Sequence, residues 1–350
     1  MATYTRQIAV GDVLIGGGAP VSVQSMTNTK TKDAHSTIEQ IHRLEEAGCD
    51  IIRLAVNDDD DAKALDTIIP AIRIPVIAEI QFDYRLALYA VEHRVHGLRL
   101  NPGNIGAEWK IKEVAEACKD AGISIRVGVN SGSVKEEFIE KYHGINPNSI
   151  VESALEEIDI LEKYNLRDIK VSLKSSDVRQ SVESYRQFAK VSDYPLHLGI
   201  TEAGSRMSGI VKSSVGIGAL LLDDIGDTIR VSLTGDPVEE VRCGIQILKS
   251  IGLRNDGVDI VSCPTCGRTE IDLIGIAEEA EKRLEAIGYQ GKVAIMGCRV
   301  NGPGEAREAD YGITGGNGRG VIFKKGEVIR SVDEAKLIDA LIDVIERDRL

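Results

Sequence analysis

Residues 124–130 read Ser124-Ile125-Arg126-Val127-Gly128-Val129-Asn130, a short run in which Ile or Val stands at every second position and which ends at a polar loop. Runs of this kind recur along the chain, and helical patterns lie between them. This composition is typical of parallel strands that other side chains cover on both faces. The runs lie at 21–26, 51–56, 75–80, 97–101, 124–130, 168–174, 195–200 and 228–233. Eight strand–helix units in succession predict an α/β fold, specifically a (β/α)8 barrel.

An open, doubly wound sheet is the alternative architecture for such a pattern. That fold normally carries a glycine-rich turn after its first strand, whereas the run at 21–26 is followed by Thr27-Asn28-Thr29. The barrel is therefore the favoured interpretation. A short strand pair is also predicted over residues 7–18, ahead of the first unit.

The barrel pattern stops near Gly252, which predicts a first domain over residues 1–252. A second domain, a small α+β unit, is predicted over residues 258–350. Its expected elements are a strand at 258–262, a helix at 272–286, a strand at 292–296, a hairpin over 313–328 that turns at Lys325-Gly326, and a helix at 333–346.

Composition excludes several classes of protein. The net charge of −13 disfavours binding to nucleic acid or to acidic membranes. No apolar run approaches the length of a membrane helix, and the first residues lack the apolar core of a signal peptide. Six cysteines in 350 residues do not make a disulfide scaffold, so we expect a cytoplasmic protein. Of these, Cys49, Cys118 and Cys243 are expected to be small, buried side chains.

Cations stand inside the predicted strands, where apolar residues are usual. They are Arg53, Arg99, Arg126, Lys174 and Arg230. Strand alternation places Asn130 on the face of Arg126, and Ser232 on the face of Arg230. These side chains should converge near the C-terminal mouth of the barrel, where barrel enzymes bind their substrates.

Two explanations fit these buried cations, because burying them without partners is costly. Carboxylates inside the barrel, such as Glu79 and Glu202, can pair with them in a structural network. Alternatively, some of the cations bind a ligand with several negative charges, for which the arginine fork is suited. The simplest such ligand is a diphosphate.

The second domain contains two loops rich in glycine and proline that carry thiols. The first is Cys263-Pro264-Thr265-Cys266-Gly267-Arg268, and the second is Gly297-Cys298-Arg299-Val300-Asn301-Gly302-Pro303-Gly304-Glu305. Loops of this composition hold thiolates at fixed angles and direct backbone N–H groups toward sulfur. The pattern predicts a metal site.

The ligand set leaves the metal open. No histidine follows His197, so this domain offers three thiolates and no imidazole. A structural zinc site needs four ligands, and Cys243 or Glu305 would have to complete it. An iron–sulfur cubane is also held by thiolates, and an iron that lacks its cysteine can take an oxygen donor such as Glu305. A redox cluster together with an anion site points to reduction of a phosphorylated substrate.

Longer motifs make the chain resemble the 4-hydroxy-3-methylbut-2-enyl diphosphate synthase family, the iron–sulfur enzymes of the non-mevalonate isoprenoid pathway. The resemblance covers nearly the whole chain and is closest to the bacterial two-domain form. Its motifs are Val23-Gln24-Ser25-Met26-Thr27, Asn101-Pro102-Gly103-Asn104-Ile105-Gly106, Gly128-Val129-Asn130 with Gly132-Ser133, Pro195-Leu196-His197-Leu198-Gly199-Ile200-Thr201-Glu202, residues 263–268 and residues 301–306.

The resemblance implies a 4Fe-4S cluster and a cyclic diphosphate substrate, 2-C-methyl-D-erythritol 2,4-cyclodiphosphate. Its ring would be opened with two electrons and loss of water, and flavodoxin or ferredoxin would supply the electrons. It also implies a homodimer in which the cluster domain of one subunit closes over the barrel of the other. The cluster ligands would be Cys263, Cys266, Cys298 and Glu305.

The resemblance also assigns roles in the barrel. The diphosphate contacts fall on Arg53, Arg99, Arg126, Asn130, Lys174 and Ser232. Glu202 matches the carboxylate thought to donate a proton, so Glu202 and Glu305 are the expected catalytic residues.

One strand departs from the family pattern. It reads Glu79-Ile80-Gln81-Phe82, whereas family members often read Asp-Ile-His-Phe, and this weakens any acid–base role for the strand. From the residues alone, two other functions remain open. One is a non-redox barrel for phosphorylated ligands with a structural zinc knuckle, and the other is a sulfite-reductase-like redox domain that binds a different anion.

Overall fold

The computed structural model describes residues 4–255, 257–298 and 307–349. The chain divides into two compact units, Met1–Leu253 and Arg254–Leu350. Each unit has a hydrophobic core of its own. Within the part of the chain that is described, no helix is long and apolar enough to cross a bilayer.

The first unit alternates strands and helices. Its strands are β1 (Ile8–Val10), β2 (Val13–Ile15), β3 (Ser22–Met26), β4 (Ile51–Ala55), β5 (Val76–Glu79), β6 (Gly97–Arg99), β7 (Ser124–Asn130), β8 (Ile169–Lys174), β9 (His197–Leu198) and β10 (Thr228–Ile229). Its helices are α1 (Ala34–Glu46), α2 (Asp59–Ile68), α3 (Tyr84–Glu92), α4 (Pro102–Ile105), α5 (Glu108–Ala121), α6 (Glu136–Lys141), α7 (Pro147–Glu162), α8 (Val178–Phe188), α9 (Arg206–Leu221) and α10 (Pro237–Ser250).

Strands β3 to β10 form one parallel sheet that curves round on itself. Neighbouring strands pair in chain order from β3 to β8, and β10 pairs with both β9 and β3. A parallel bridge between Val171 and Leu196 joins β8 to the start of β9, supported by a 2.8 Å bond from the Val171 N–H to the Pro195 carbonyl. The predicted (β/α)8 barrel is confirmed, and the doubly wound alternative is wrong.

The last two barrel strands are shorter than predicted. Runs 195–200 and 228–233 contribute only two residues each, His197–Leu198 and Thr228–Ile229. The ladder continues for one more bond, from the Arg230 N–H to the Leu198 carbonyl at 3.0 Å. Beyond that point the chain leaves the sheet, so Arg230 and Ser232 lie on the mouth rather than within a strand.

An antiparallel hairpin of β1 and β2 closes the opposite end of the barrel. Ile8 pairs with Ile15 across it, which confirms the strand pair predicted over residues 7–18. Its buried side chains pack on Ile51 and Ile77, at or near the starts of β4 and β5. An apolar floor therefore lies at the N-terminal end, while the polar side chains of the lumen lie above it.

The second unit is a five-stranded mixed sheet with helices. Its elements are β11 (Val258–Ser262), α11 (Leu273–Ala286), β12 (Gly291–Met296), β13 (Tyr311–Gly316), β14 (Arg319–Lys324), β15 (Glu327–Asp333) and α12 (Leu337–Asp348). Strands β11, β12 and β13 are parallel, and β13, β14 and β15 are antiparallel. The predicted small α+β unit is confirmed.

The single hairpin predicted over residues 313–328 is wrong, because this stretch contains two turns. Asn317-Gly318 turns between β13 and β14, and Lys325-Gly326 turns between β14 and β15. All four residues have positive φ, as tight two-residue hairpins require. Asn-Gly is the strongest short hairpin signal, and it marks the turn that the sequence analysis missed.

Packing in the core of the barrel predicts how much a substitution there lowers the free energy of unfolding. Leu54 is fully buried in β4, on the face opposite Arg53, so Leu54→Ala should lower the free energy of unfolding by about 2–5 kcal/mol. Leu14→Ala is the matched control, since Leu14 is 50% exposed and should lose less than about 0.5 kcal/mol. Urea unfolding followed by far-UV circular dichroism measures both, and equal midpoints would contradict the packing described.

Candidate functional site

Strand alternation separates an apolar outer face from a polar inner face in the barrel. On β7 and β8 the outer residues belong to the main core, namely Ile125, Val127, Val129, Ile169, Val171 and Leu173. The inner residues stand in register as the pairs Arg126 with Lys170, Gly128 with Ser172, and Asn130 with Lys174. The inner face of these two strands is therefore hydrophilic, although it is buried inside a protein.

Four of the predicted cations are brought together in this lumen. Arg53, Arg99, Arg126 and Lys174 are each at most 8% exposed. A Cβ atom placed on Gly128 would lie 3.4 Å from Arg126 Nη1 and 3.6 Å from Arg99 Nε. Both distances are ordinary contacts, whereas the same Cβ atom would lie only 2.9 Å from the Ser172 hydroxyl that accepts from Arg126, so glycine is needed here to leave room for Ser172.

A second glycine makes room for the lysine. A Cβ atom on Gly199 would lie 3.2 Å from Lys174 Nζ and 2.7 Å from the Arg230 carbonyl oxygen. The ammonium group of Lys174 therefore lies against the backbone that follows β9, on the same side of the barrel as Arg230.

One carboxylate in the lumen serves two arginines. Glu79 lies 3.2 Å from Arg53 Nε and 3.4 Å from Arg99 Nη1. Gln81, which like Glu79 departs from the family pattern, donates to Glu79 at 3.1 Å and accepts from Arg99 at 3.4 Å. Burial raises the pKa of Glu79, but the charges of the surrounding cations outweigh it and hold this pKa below its usual value. Glu79 is thus a fixed negative charge.

The other predicted carboxylate does not join this network. Glu202 is exposed, and among the described residues it has no ion pair with the lumen cations. Arg230 pairs instead with Glu240, at the start of α10, at 3.0 Å. The structural-network explanation therefore holds for Arg53, Arg99 and Arg230, but through Glu79 and Glu240.

Arg126 and Lys174 have no carboxylate partner among the ion pairs of the described residues. Arg126 donates to the Ser172 hydroxyl at 2.7 Å, and its Nε has no acceptor. Burial, followed by the charge of Arg126, holds the pKa of Lys174 well below its usual value. An anion entering the lumen would relieve this repulsion.

The two polar residues of the predicted site lie near the rim. Asn130, at the end of β7, accepts a hydrogen bond from the backbone of Ser133 through its side chain. The Ser232 hydroxyl accepts from Arg230 Nη1 at 3.1 Å. Both are partly exposed, so an entering ligand can reach them from solvent.

Sequence reasoning missed three lumen residues: Lys170, His197 and Glu240. Lys170 and His197 are fully buried, and neither side chain has a hydrogen-bond partner in the structure. A signal for Lys170 was present, since it lies four residues before Lys174 in one strand and therefore shares its face. Glu240 had no such signal, because its pairing with Arg230 depends on how α10 packs.

In the second unit, the two cysteine loops follow neighbouring parallel strands and touch each other. Ser262 is in register with Ile295, so Cys263 leaves β11 at the same edge where Cys298 follows β12. The Gly297 N–H donates to Cys263 Sγ at 3.2 Å, and the Glu270 N–H donates to the Gly297 carbonyl at 2.9 Å. An amide directed at sulfur is the feature that the loop composition predicted.

The three thiols differ in exposure. Cys298 is 7% exposed, Cys263 is partly buried and Cys266 is exposed. Hydrogen bonds from the backbone and side chain of Arg268 lower the pKa of Cys266, which favours its thiolate. In contrast, burial raises the pKa of Cys49 and of Cys118 to about 12, as expected for thiols that only fill space.

The fourth predicted ligand, Glu305, lies outside the described residues, together with the rest of the loop from Arg299 to Ala306. Within 4–255, 257–298 and 307–349, no three His, Cys, Asp or Glu side chains form a group that could hold a single metal ion. A cubane takes one thiolate on each of several irons, so its ligands need not share one coordination sphere. Three thiols at one sheet edge, without imidazole, have the donor chemistry of an iron–sulfur cluster.

Two family models match the chain. Residues 5–245 match the GcpE TIM-barrel domain, and residues 259–347 match the GcpE protein C-terminal domain. Known proteins match over nearly their full length. Those of Clostridium perfringens and Geobacter sulfurreducens, both named 4-hydroxy-3-methylbut-2-en-1-yl diphosphate synthase (flavodoxin), are each 56% identical to this chain. The alignments cover 98% and 99% of this chain, respectively, and 98% of each relative.

Two solved structures resemble this chain over about 70% of its length. Dihydropteroate synthase from Stenotrophomonas maltophilia matches with a TM-score of 0.53 and 10% identity, over 71% of this chain and 97% of that one. The Yersinia pestis enzyme matches with a TM-score of 0.51 and 9% identity, over 70% and 98%. At this identity the likeness shows a shared fold only.

The family suggested by the sequence motifs is thereby confirmed. Both domains are matched in order, and the relatives carry the name of the family that the motifs resemble. The chain belongs to the GcpE family.

Proposed function

We propose that the chain reduces 2-C-methyl-D-erythritol 2,4-cyclodiphosphate to 4-hydroxy-3-methylbut-2-enyl diphosphate, with ring opening and loss of water. The observation that carries this proposal is the surplus of buried positive charge in the barrel mouth, which a diphosphate would neutralise. The names of the relatives support the product and the electron donor. A non-redox barrel with a zinc knuckle receives no support.

The barrel residues would bind and orient the diphosphate. Arg126 and Lys174 have no carboxylate partner, so their charges are the ones most available to phosphate oxygens. Arg53 and Arg99, fixed by Glu79, would hold a second side of the anion. Asn130 and Ser232 would donate hydrogen bonds to the substrate from the rim, where these neutral side chains are partly exposed.

The cofactor in this proposal is a 4Fe-4S cluster held by Cys263, Cys266, Cys298 and Glu305. When bound, such a cluster supplies electrons one at a time and a Lewis-acidic iron. The exposed position of Cys266 and the low pKa that Arg268 gives it suit a thiolate ligand. Glu305 enters from the family resemblance alone, since it lies outside the described residues.

The reaction also consumes a proton. Two C–O bonds of the substrate break. The first joins a ring carbon to a phosphate, which becomes the terminal phosphate of the linear diphosphate. The second joins a carbon to the hydroxyl group that leaves as water. The cyclodiphosphate dianion plus two electrons and one proton gives the diphosphate trianion plus water. We assign the donation of this proton to Glu202, which is exposed at the mouth and can be reprotonated from solvent.

A flavodoxin or ferredoxin in the cytoplasm is the proposed electron donor. Flavodoxin is the donor in the relatives' names, and six free cysteines suit a reducing compartment.

The proposed homodimer has a candidate surface on the barrel. Four exposed apolar residues follow one face of α9 and the turn after it, namely Met207, Val211, Val215 and Leu222. The charged residues at the two ends of this face already have partners within the barrel, since Arg206 pairs with Glu239 at 2.9 Å and Asp223 pairs with Arg186 at 2.6 Å. Packing against a second copy would bury the apolar stripe between them.

The cluster is tested by metal content. Protein purified without oxygen should contain about four irons and four sulfides per chain, and Cys298→Ala should lose most of both. Cys243→Ala is the control and should keep the cluster, because Cys243 lies in α10 of the barrel. Glu305→Ala should retain the iron but lose most of the turnover. One zinc with no sulfide would exclude the cluster, and undiminished turnover would remove Glu305 from the mechanism.

The anion site is tested by binding. Arg126→Met should weaken cyclodiphosphate binding about tenfold to a hundredfold, since a hydrogen bond to a charged group contributes about 1.5–3 kcal/mol. Arg43→Met is the control, because Arg43 pairs only at the surface and should leave the affinity unchanged. Calorimetric titration without reductant measures both dissociation constants, and equal values would place the substrate elsewhere.

The molar mass of the protein in solution tests the proposed dimer surface. Val211→Asp should shift the protein toward monomer, because it places a charge in the centre of the buried stripe. Val191→Asp is the matched control, an exposed valine beyond α8 and off this face. Light scattering after size exclusion measures the mass, and a Val211→Asp variant that stays dimeric would exclude this face.

A further inference from the structure

Lys170 is a lysine that the proposed mechanism does not use. It is the second residue of β8 and lies on the lumen face with Ser172 and Lys174. It is 0% exposed, and its Nζ has no hydrogen-bond acceptor in the structure. A protonated ammonium carries three donors, so this position is unfavourable for the charged form.

Polar side chains without partners surround this part of the lumen. His197 on β9 is fully buried, and neither ring nitrogen has a partner. Thr228 of β10 stands in register with both His197 and Ser22, and the side chains of Thr228, Ser22 and Gln24 also lack partners. Buried polar groups are nearly always bonded to protein or to ordered water, so internal water is expected in this layer.

The charges that face Lys170 are almost all positive. Arg126 is its register partner on β7, and Lys174 follows it on its own strand. His197 also faces it from β9, but burial and the nearby cations hold the pKa of His197 well below its usual value, so this ring is neutral. Arg53, Arg99 and Arg230 add further positive charge, and the only carboxylates in their ion pairs, among the described residues, are Glu79 and Glu240. Lys170 and these five cations therefore share two carboxylates.

Arginine and lysine respond differently to such crowding. An arginine keeps its proton in proteins, whereas a buried lysine gives up its proton readily. The repulsion is therefore relieved at the lysines. Burial, followed by the charge of Arg126, lowers the pKa of Lys170 to about 7.

We propose that Lys170 is a proton-uptake group of the substrate cradle, which takes a proton from solvent when a diphosphate anion enters the mouth and releases it when the anion leaves. This inference rests on the proposed function, because it needs an anion in the mouth. Lys170 is a positioning residue, since it acts on the substrate through the field of the cradle rather than by contact.

The affinity for the anion is expected to depend on pH through the protonation of Lys170. The anion stabilises the protonated lysine, so the pKa of Lys170 is higher in the complex than in the empty barrel. Protonation and binding favour each other, and the affinity falls as pH rises above about 7, where the empty barrel has lost this proton. Each unit by which the anion raises the pKa changes the affinity about tenfold.

Proton uptake is measured directly by calorimetry. The anaerobically purified holoenzyme is titrated with 2-C-methyl-D-erythritol 2,4-cyclodiphosphate, without reductant, at about pH 8 in buffers of different ionisation enthalpy. Wild type should take up protons on binding. Lys170→Arg should take up about one proton fewer and lose most of the decline in affinity above pH 7, because arginine stays charged. Lys170→Met should also take up about one proton fewer, but should bind more weakly near pH 6.

Lys190→Met is the control, an exposed lysine beyond α8 that should leave the proton count unchanged. A Lys170→Arg variant that takes up as many protons as wild type would overturn the inference, and so would a wild type that binds without uptake. A wild type that does not bind the cyclodiphosphate at all would overturn the proposed function, and this inference with it. Inorganic pyrophosphate as a second probe shows whether the uptake needs only the anion.

Discussion

Positive charge buried inside the barrel is the constraint on which the first unit depends. Helices cover the apolar outer face of each strand, and strand alternation then directs every second side chain into the lumen. In this chain those inner positions hold arginine and lysine rather than the branched apolar residues that usually fill a barrel. These buried cations repel one another, and the proposed diphosphate would relieve that repulsion.

Fixed carboxylates show how much of this charge belongs to the fold itself. Glu79 pairs with Arg53 and Arg99, and Glu240 pairs with Arg230, at distances of 3.0–3.4 Å, so these carboxylates fix the positions of the three arginines. Among the ion pairs of the described residues, Arg126 and Lys174 have no carboxylate partner. The site thus combines cations that the protein itself pairs with cations that it leaves without a carboxylate.

The sequence predicts well which cations lie in the lumen, but it predicts poorly which carboxylates pair with them. Buried runs and strand alternation place Arg53, Arg99, Arg126 and Lys174 in one lumen, because both rules are local. The partner of Arg230 depends on the packing of α10, and no local pattern reveals Glu240. The same limit applies to strand length, since β9 and β10 end after two residues although the apolar runs that contain them are longer. In the second unit, the Asn317-Gly318 pair is a local turn signal that the sequence analysis did not use. The loop composition predicts that backbone N–H groups point toward sulfur, but it does not predict that Gly297 is the donor to Cys263.

Absent side chains are as important to both sites as the charged groups. Gly128 leaves room for the Ser172 hydroxyl, which would otherwise lie 2.9 Å from a Cβ atom, and Gly199 leaves room for Lys174 Nζ, which would otherwise lie 3.2 Å from one. Gly297 has the same effect between the cysteine loops, where a Cβ atom would lie 3.0 Å from the Thr269 methyl group and 3.2 Å from Leu273. A larger residue at any of these positions would keep every functional group in the sequence but would have to displace the neighbour it meets. The glycines therefore set how closely the strands and loops around both sites can approach one another.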